Sequence, residues 1–119
     1  MITIVGISGS LRTHSFNAGL LRAAAESVPD GCKLTIESIQ GIPLYNQDLE
    51  DSEGIPTAVA TLKDRIAAAD GLLMVTPENN NSIPGVFKNA IDWLSRPPAD
   101  RPRVFGNRPI GLMGATPGN

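Results

Sequence analysis

Cysteine and histidine each occur once in the chain, as Cys32 and His14. A lone cysteine leaves no internal disulfide and no cysteine-based metal cluster, so no metal ligands are expected. The lone histidine precedes every acid able to orient it and shares a loop with nearby serines, which argues against a hydrolase triad. No apolar run approaches the ~20 residues that span a bilayer, so no membrane association is expected. Excess positive charge is missing too: 10 Lys and Arg against 12 Asp and Glu give a net charge of −2. That balance argues against a nucleic-acid partner held by bulk charge. The opening Met1-Ile2-Thr3-Ile4 carries no basic region ahead of an apolar stretch. A secretory signal is therefore not expected, and the location is expected to be cytoplasmic.

The composition is that of a globular domain, with 41% hydrophobic and 18% charged residues over 119 positions. This length suits one domain over 1–119, burying somewhat more than ~60% of its unfolded surface. Ile2 to Ile7 form a nearly continuous apolar run, as a strand buried on both faces requires. Phe16, Leu20, Leu21, Ala24 and Val28 then keep helical spacing until Pro29-Asp30-Gly31. Leu34, Ile36 and Ile39 alternate with polar residues, which suits a half-exposed edge strand. Residues 40–54, with the acidic positions Asp48, Glu50, Asp51 and Glu53, read as an exposed loop. Val59, Leu62, Ile66 and Ala69 mark a second helix, with Pro56 in its first turn. Leu72 to Val75 make a buried strand, and Phe87, Ala90, Ile91 and Leu94 a third helix opened by Ser82 and Pro84. A loop rich in Pro and Arg (96–109) precedes a last strand over 110–114.

Strands alternating with helices imply an α/β domain with a doubly wound, mainly parallel sheet. A βαβ unit takes ~30 residues, so five strands with helices on both faces need roughly 150. Four strands and three helices therefore read as a domain lacking its C-terminal strand and helices, with Thr116 to Asn119 as a terminal loop. In such sheets ligands bind beyond the carboxyl ends of the strands, where strand order reverses. The loops after the first and third strands would flank that crevice.

The first loop, Gly6 to Asn17, suits a phosphate. Gly9 permits close backbone approach, Ser10, Ser15 and Asn17 are neutral donors, and Arg12 offers a charge-assisted fork at a helix N-terminus. The competing reading is local: Ser15 caps the helix, while Gly9 and Ser10 make a turn. The loop contains no lysine, which excludes a Walker motif, and it lacks both the dinucleotide glycine fingerprint and the nucleophile elbow. The second loop places Asn79, Asn80 and Asn81 in a row. Their amides would suit the mixed edge of a nucleobase or flavin, or would simply supply turn geometry.

Two long stretches carry a resemblance. Gly9-Ser10-Leu11-Arg12-Thr13-His14-Ser15-Phe16-Asn17 matches G-S-L-R-x-x-S-x-N, and Pro77 to Trp93 matches P-E-Y-N-x-S-x-P-G-x-L-K-N-A-I-D-W. On these the chain resembles the NADPH-dependent FMN reductase family, the flavodoxin-like chromate, quinone and azo-dye reductases. Gly114-Ala115-Thr116-Pro117-Gly118 is similar to the start of that family's third ligand loop. The resemblance implies a flavodoxin-like fold and an oxidoreductase in which NAD(P)H reduces bound FMN. A quinone, azo dye, metal oxyanion or free flavin would then take the electrons. It implies that Ser10, Arg12, Ser15 and Asn17 hold the FMN phosphate, with Phe16 beside them in the cofactor-binding set. By the same resemblance Pro77, Glu78 and Asn80 line the isoalloxazine and ribityl side, and Thr116 sits near the ring. Asn79 occupies the position where the family pattern has tyrosine. No catalytic acid or base is implied, since the cofactor carries the chemistry. The implied partners are a small-molecule electron acceptor and further copies of the chain, as a homodimer or homotetramer. A reading from another class is a non-catalytic FMN- or nucleotide-binding module, or an inactive fragment that pairs with a second chain.

Arg96, Arg101, Arg103 and Arg108 would either meet the 2′-phosphate of NADPH or form a solvated surface. The acidic run lacks the pattern of a calcium loop and reads as solvated. Trp93 and Phe87 are expected in packing, Cys32 as an inert small residue, and His14 as a loop residue without a catalytic task.

Overall fold

In the computed structural model, which describes residues 1–117, four parallel strands form one sheet in the order β2-β1-β3-β4. The strands are β1 (Ile2–Ser8), β2 (Cys32–Glu37), β3 (Gly71–Val75) and β4 (Ile110–Met113). Five helices accompany them: α1 (Phe16–Glu26), α2 (Gln47–Glu53), α3 (Thr57–Ala68), α4 (Gly85–Leu94) and α5 (Arg101–Phe105). Strand order reverses between β1 and β3, the topology of a flavodoxin-like α/β fold.

Register decides which side chains share a face. Val5 lies beside Leu72, and Ile7 beside Met74. These four join Val59, Leu62 and Ile66 of α3, Phe87, Trp93 and Leu94 of α4, and Val104 of α5 in one buried core. The alternate positions of β1 face α1. A Cβ at Gly6 would lie 2.6 Å from Leu21 Cδ1 and 3.0 Å from Leu34 Cδ2, so glycine is what lets α1 lie close to the sheet. At the other end of the sheet β4 pairs with β3 alone, and Leu112 is 72% exposed.

The structure differs from the sequence reading in several places. Residues 40–54 are not all loop, because Asn46 caps α2 by accepting the Asp48 N–H at 2.8 Å. Asp48 and Glu50 occupy its first turn, where carboxylates complement the helix dipole. Within 96–109, a 3₁₀ turn (Pro98–Asp100) leads into α5, which is anchored by buried Val104. The second strand ends at Glu37, yet Ile39 beyond it is in the core. Pro56 and Pro84 stand just ahead of α3 and α4 rather than within them, and each carbonyl accepts the first helical N–H bonds. Ser82 caps nothing, because its backbone pairs with Asn79 instead. Gly118 of the third motif and Asn119 lie outside the described residues.

Candidate functional site

A cleft of about 1290 Å³ opens at the carboxyl ends of β1, β3 and β4. Three segments wall it: the β1–α1 loop, the β3–α4 loop and the residues after β4. Ser10, Arg12, Ser15, Phe16, Asn17, Pro77, Glu78, Asn79, Asn80 and Thr116 all line it, so the fold gathers every position that the resemblance implies for the cofactor.

The first loop begins as an extension of the sheet, with Gly9 N–H donating to the Val75 carbonyl at 2.7 Å. A Cβ at Gly9 would lie 2.8 Å from the Phe87 ring and 2.9 Å from Thr76 Oγ1, so this turn rests against α4 and the second loop. Ser10 Oγ accepts the Arg12 N–H at 3.3 Å. Ser15 is buried and caps α1, its Oγ accepting from Asn17 N–H at 3.1 Å and Ala18 N–H at 3.3 Å. The cap leaves the Ser15 hydroxyl hydrogen available for an acceptor in the cleft. Exposed Arg12 donates from Nη2 to the His14 carbonyl at 3.1 Å, and its guanidinium carbon stands 5.7 Å from the Phe16 ring centroid. His14 itself contributes that carbonyl and is exposed. Phe16, placed by periodicity on the inner face of α1, is instead 56% exposed at the helix start and forms part of the cleft wall.

The second loop is a two-residue hairpin. Asn79 and Ser82 exchange backbone bonds of 2.7 and 3.1 Å, and Asn80 and Asn81 take φ of 53° and 64°. Paired left-handed residues make a type I′ turn, for which asparagine is among the few suitable side-bearing residues. Turn geometry is thus one real task of this run. Thr76 Oγ1 donates to the Pro77 carbonyl at 2.8 Å, turning the chain away from β3. In the third segment, Asn17 meets Ala115: Nδ2 donates to its carbonyl at 3.1 Å, and Oδ1 accepts its N–H at 2.9 Å.

The cleft is mixed in chemistry. Hydroxyls, the α1 N-terminus and Arg12 come from the β1–α1 loop, where Leu11 and Phe16 also present apolar surface, while Ile83, Val86 and Leu112 present it from the β3–α4 side and from β4. Of these apolar positions sequence reasoning placed only Phe16 at the site; it missed the other four, and also Gly9's contact with Phe87 and the Asn17–Ala115 pair. Hydrophobicity beside a turn was the only available signal for the former. Among the described residues, no cluster of three or more His, Cys, Asp or Glu is placed to hold a metal, and no helix is long and apolar enough to cross a membrane.

The charged groups away from the cleft serve the fold. Arg96 Nε donates to Glu50 at 2.8 Å and Tyr45 Oη to the same carboxylate at 2.7 Å, so Glu50 is paired rather than solvated. The Tyr45 hydroxyl, with Arg96, holds the Glu50 carboxyl below its ordinary range. Lys63, only 3% exposed, donates to Asp100 at 2.6 Å and to the Arg96 carbonyl at 2.7 Å, holding the Asp100 carboxyl low as well. Arg103 pairs with Asp64, Arg101 with the Ser95 carbonyl, and Arg108 with the carbonyls of Ile66 and Ala69 at the end of α3. The four arginines therefore all make bonds within the chain, though Arg101 and Arg103 remain exposed, and none lines the cleft. Cys32 is a free thiol at the start of β2.

Comparison with known proteins bears on this cleft. A family model described as NADPH-dependent FMN reductase matches residues 2–119. An NAD(P)H-dependent FMN reductase of Pseudomonas aeruginosa is 48% identical over 117 residues, covering 98% of this chain and 61% of that protein. A quinone reductase of Escherichia coli K12 is 41% identical over 118 residues, covering 95% of this chain and 63% of the relative. Among solved structures, a flavoenzyme NAD(P)H:(acceptor) oxidoreductase from Paracoccus denitrificans superposes with a TM-score of 0.87 at 36% identity. That match covers 99% of this chain and 63% of the other. The chain thus spans about three-fifths of the length of the relatives it matches.

Proposed function

The chain belongs to the NADPH-dependent FMN reductase family, and from that membership and the donor set of the cleft we propose that residues 1–119 form one FMN-binding domain of an NAD(P)H-dependent oxidoreductase. One observation carries the reading: a donor-rich loop at a helix N-terminus and exposed apolar side chains line a single cleft at the point where strand order reverses. The residues present fit FMN. Ser10, Arg12 and Ser15, with the α1 N-terminus, would hold the phosphate, while Asn17, which the resemblance implies as a further phosphate ligand, has its carboxamide bonded to Ala115. Gly9 lets the β1–α1 loop pack directly against Phe87 and Thr76, where a Cβ would clash, and so holds its donors beside the second loop. Phe16, Pro77, Glu78, Asn79, Asn80 and Thr116 would enclose the ribityl chain and ring. Asn79, in place of the pattern's tyrosine, leaves that wall less apolar.

When bound, FMN supplies the transfer of reducing equivalents from NAD(P)H to an acceptor. The protein's task is then to orient and to enclose. Arg12 supplies charge at the phosphate end, and the hairpin holds Asn80 by its left-handed backbone. Apolar side chains such as Ile83 and Leu112 would keep water from the walls away from the β1–α1 loop. No side chain at the site is needed as an acid or base. The apolar surface of the cleft favours a planar conjugated acceptor, a quinone, azo dye or free flavin, over a metal oxyanion. Exposed apolar residues at its rim suit a homodimer or homotetramer, working in the cytoplasm.

Titration of FMN, followed by quenching of flavin fluorescence, tests the binding. The expected result is saturable quenching that weakens by roughly 10- to 100-fold in Arg12→Ala, the loss of one charge-assisted contact. Bleaching of the bound flavin by NADPH, and its recovery on adding benzoquinone, tests the reaction. Quenching unaffected by Arg12→Ala would refute the phosphate assignment. A bound flavin that stays oxidised under NADPH would mark a binding module.

A further inference from the structure

We propose that Asn17 is a positioning residue whose carboxamide latches the chain after β4 to the start of α1 and so sets the third wall of the cleft. Its consequence for flavin rests on the reading above, but the latch itself does not. Asn17 is the second residue of α1 and 3% exposed. Its donor and acceptor are both turned to Ala115, at 3.1 and 2.9 Å, across 98 residues of sequence. The pairing gives Ala115 what a neighbouring strand would, two residues past the end of β4.

The other side of the passage is equally constrained. Thr76 N–H donates to the Met113 carbonyl at 3.0 Å. A Cβ at Gly114 would lie 2.8 Å from the Thr76 carbonyl oxygen and 4.0 Å from Asn17 Oδ1. The chain therefore threads between the second loop and α1 at a point where only glycine fits, and is caught one residue later. Thr116 and Pro117, which continue the cleft wall, follow directly from that hold. A carboxamide can donate and accept together at this spacing, a carboxylate can only accept, and an aliphatic chain can do neither. Asn17 thus acts on a bound flavin through the wall, whereas Arg12 and Ser15 face the phosphate.

The two roles separate experimentally because riboflavin has the ring without the phosphate. Dissociation constants for FMN and riboflavin are measured with the wild-type chain, Asn17→Ala, Asn17→Asp and Arg12→Ala. Amide hydrogen exchange at Ala115 is followed in the same proteins without flavin. A latch predicts that Asn17→Ala weakens both flavins by the same factor, about tenfold, and speeds Ala115 exchange by at least about tenfold. Amides of β1 and β3 should keep their protection, which distinguishes this from general loss of stability. Asn17→Asp, of the same size, retains the acceptor and should leave the Ala115 amide slower to exchange than in Asn17→Ala. It also carries the test should the alanine variant fail to fold. Arg12→Ala should weaken FMN far more than riboflavin and leave Ala115 exchange unchanged. Loss confined to FMN in Asn17→Ala, with Ala115 still protected, would overturn the latch and make Asn17 a phosphate ligand. If no variant nor the wild type binds either flavin, the flavin reading fails, and Ala115 exchange alone still decides the latch.

Discussion

Replacing Gly9 by alanine probes the junction on which the first loop depends. The added methyl would come within 2.8 and 2.9 Å of two Phe87 ring carbons and 2.9 Å of Thr76 Oγ1. Relief by moving the loop is opposed by the 2.7 Å bond from Gly9 N–H to the Val75 carbonyl, which continues the β1–β3 ladder. Relief by moving Phe87 is opposed by its burial at 2% exposure among Trp93, Leu94 and the β3 side chains. Overpacking of this kind costs about 1–3 kcal/mol. With a urea slope of roughly 1–3 kcal/mol per molar, the midpoint should fall by about 1 M. The double variant Gly9→Ala/Phe87→Leu should recover part of that loss, because the smaller side chain vacates space beside the new methyl. A coupling of about 1 kcal/mol in the double-mutant cycle is expected. An unchanged midpoint in Gly9→Ala, or strictly additive effects in the cycle, would refute the claim that the Gly9 turn rests against Phe87.

Three further perturbations address other parts of the structure. Ser15→Asp keeps an oxygen to cap α1, so stability should hold while FMN affinity falls more than about tenfold by repulsion and riboflavin affinity does not; flavin titration and urea melts read the two effects separately. Asn81→Val forces a β-branched side chain into φ of 64° and should cost about 1–2 kcal/mol, whereas Asn81→Gly should cost almost nothing. Acid unfolding should report Glu50 and Asp100, whose folded-state carboxyls sit below their ordinary values through Tyr45 and Lys63 respectively. Their stabilisation is fully present above the usual carboxylate range and is lost as pH falls from that range through their lower folded-state values, so urea midpoints should begin to drop below about pH 4.5. Glu50→Gln should show a shallower drop, and an identical profile in that variant would refute the assignment.

What the sequence made legible was whatever a short window of side chains determines. Apolar runs gave β1 and β3, and helical stripes gave α1, α3 and α4. Alternation in β2 correctly placed a half-exposed edge. The helix α2 escaped because QDLEDSE has one apolar residue and hence no stripe; it stands on the Asn46 cap and on Glu50's bonds to Tyr45 and Arg96. Arg96 is 46 residues from Glu50, beyond any local signal. Burial of Lys63 was equally hidden, since its partners Asp100 and the Arg96 carbonyl arrive from a segment that composition marked as solvated loop. The cleft was legible by position, at the carboxyl ends of β1 and β3, but the Asn17–Ala115 pair is a contact of tertiary structure alone.

The local and the ligand readings of the two loops were set against each other as alternatives, and the geometry shows why they need not compete. Ser15 Oγ uses lone pairs to accept the α1 N–H groups, and its own hydrogen is not consumed in doing so. Asn80 meets the turn's demand through its backbone at φ of 53°, which leaves its amide to the cleft that it lines. Gly9 and Gly114 make tight passages for the chain against Phe87 and Thr76, and both line the cleft that those passages shape. A loop built this way spends backbone and lone pairs on its own fold and keeps side-chain donors for an anion. The turn chemistry is then the means by which those donors are held in place, so the residues that define the turns are also those through which a ligand would be felt.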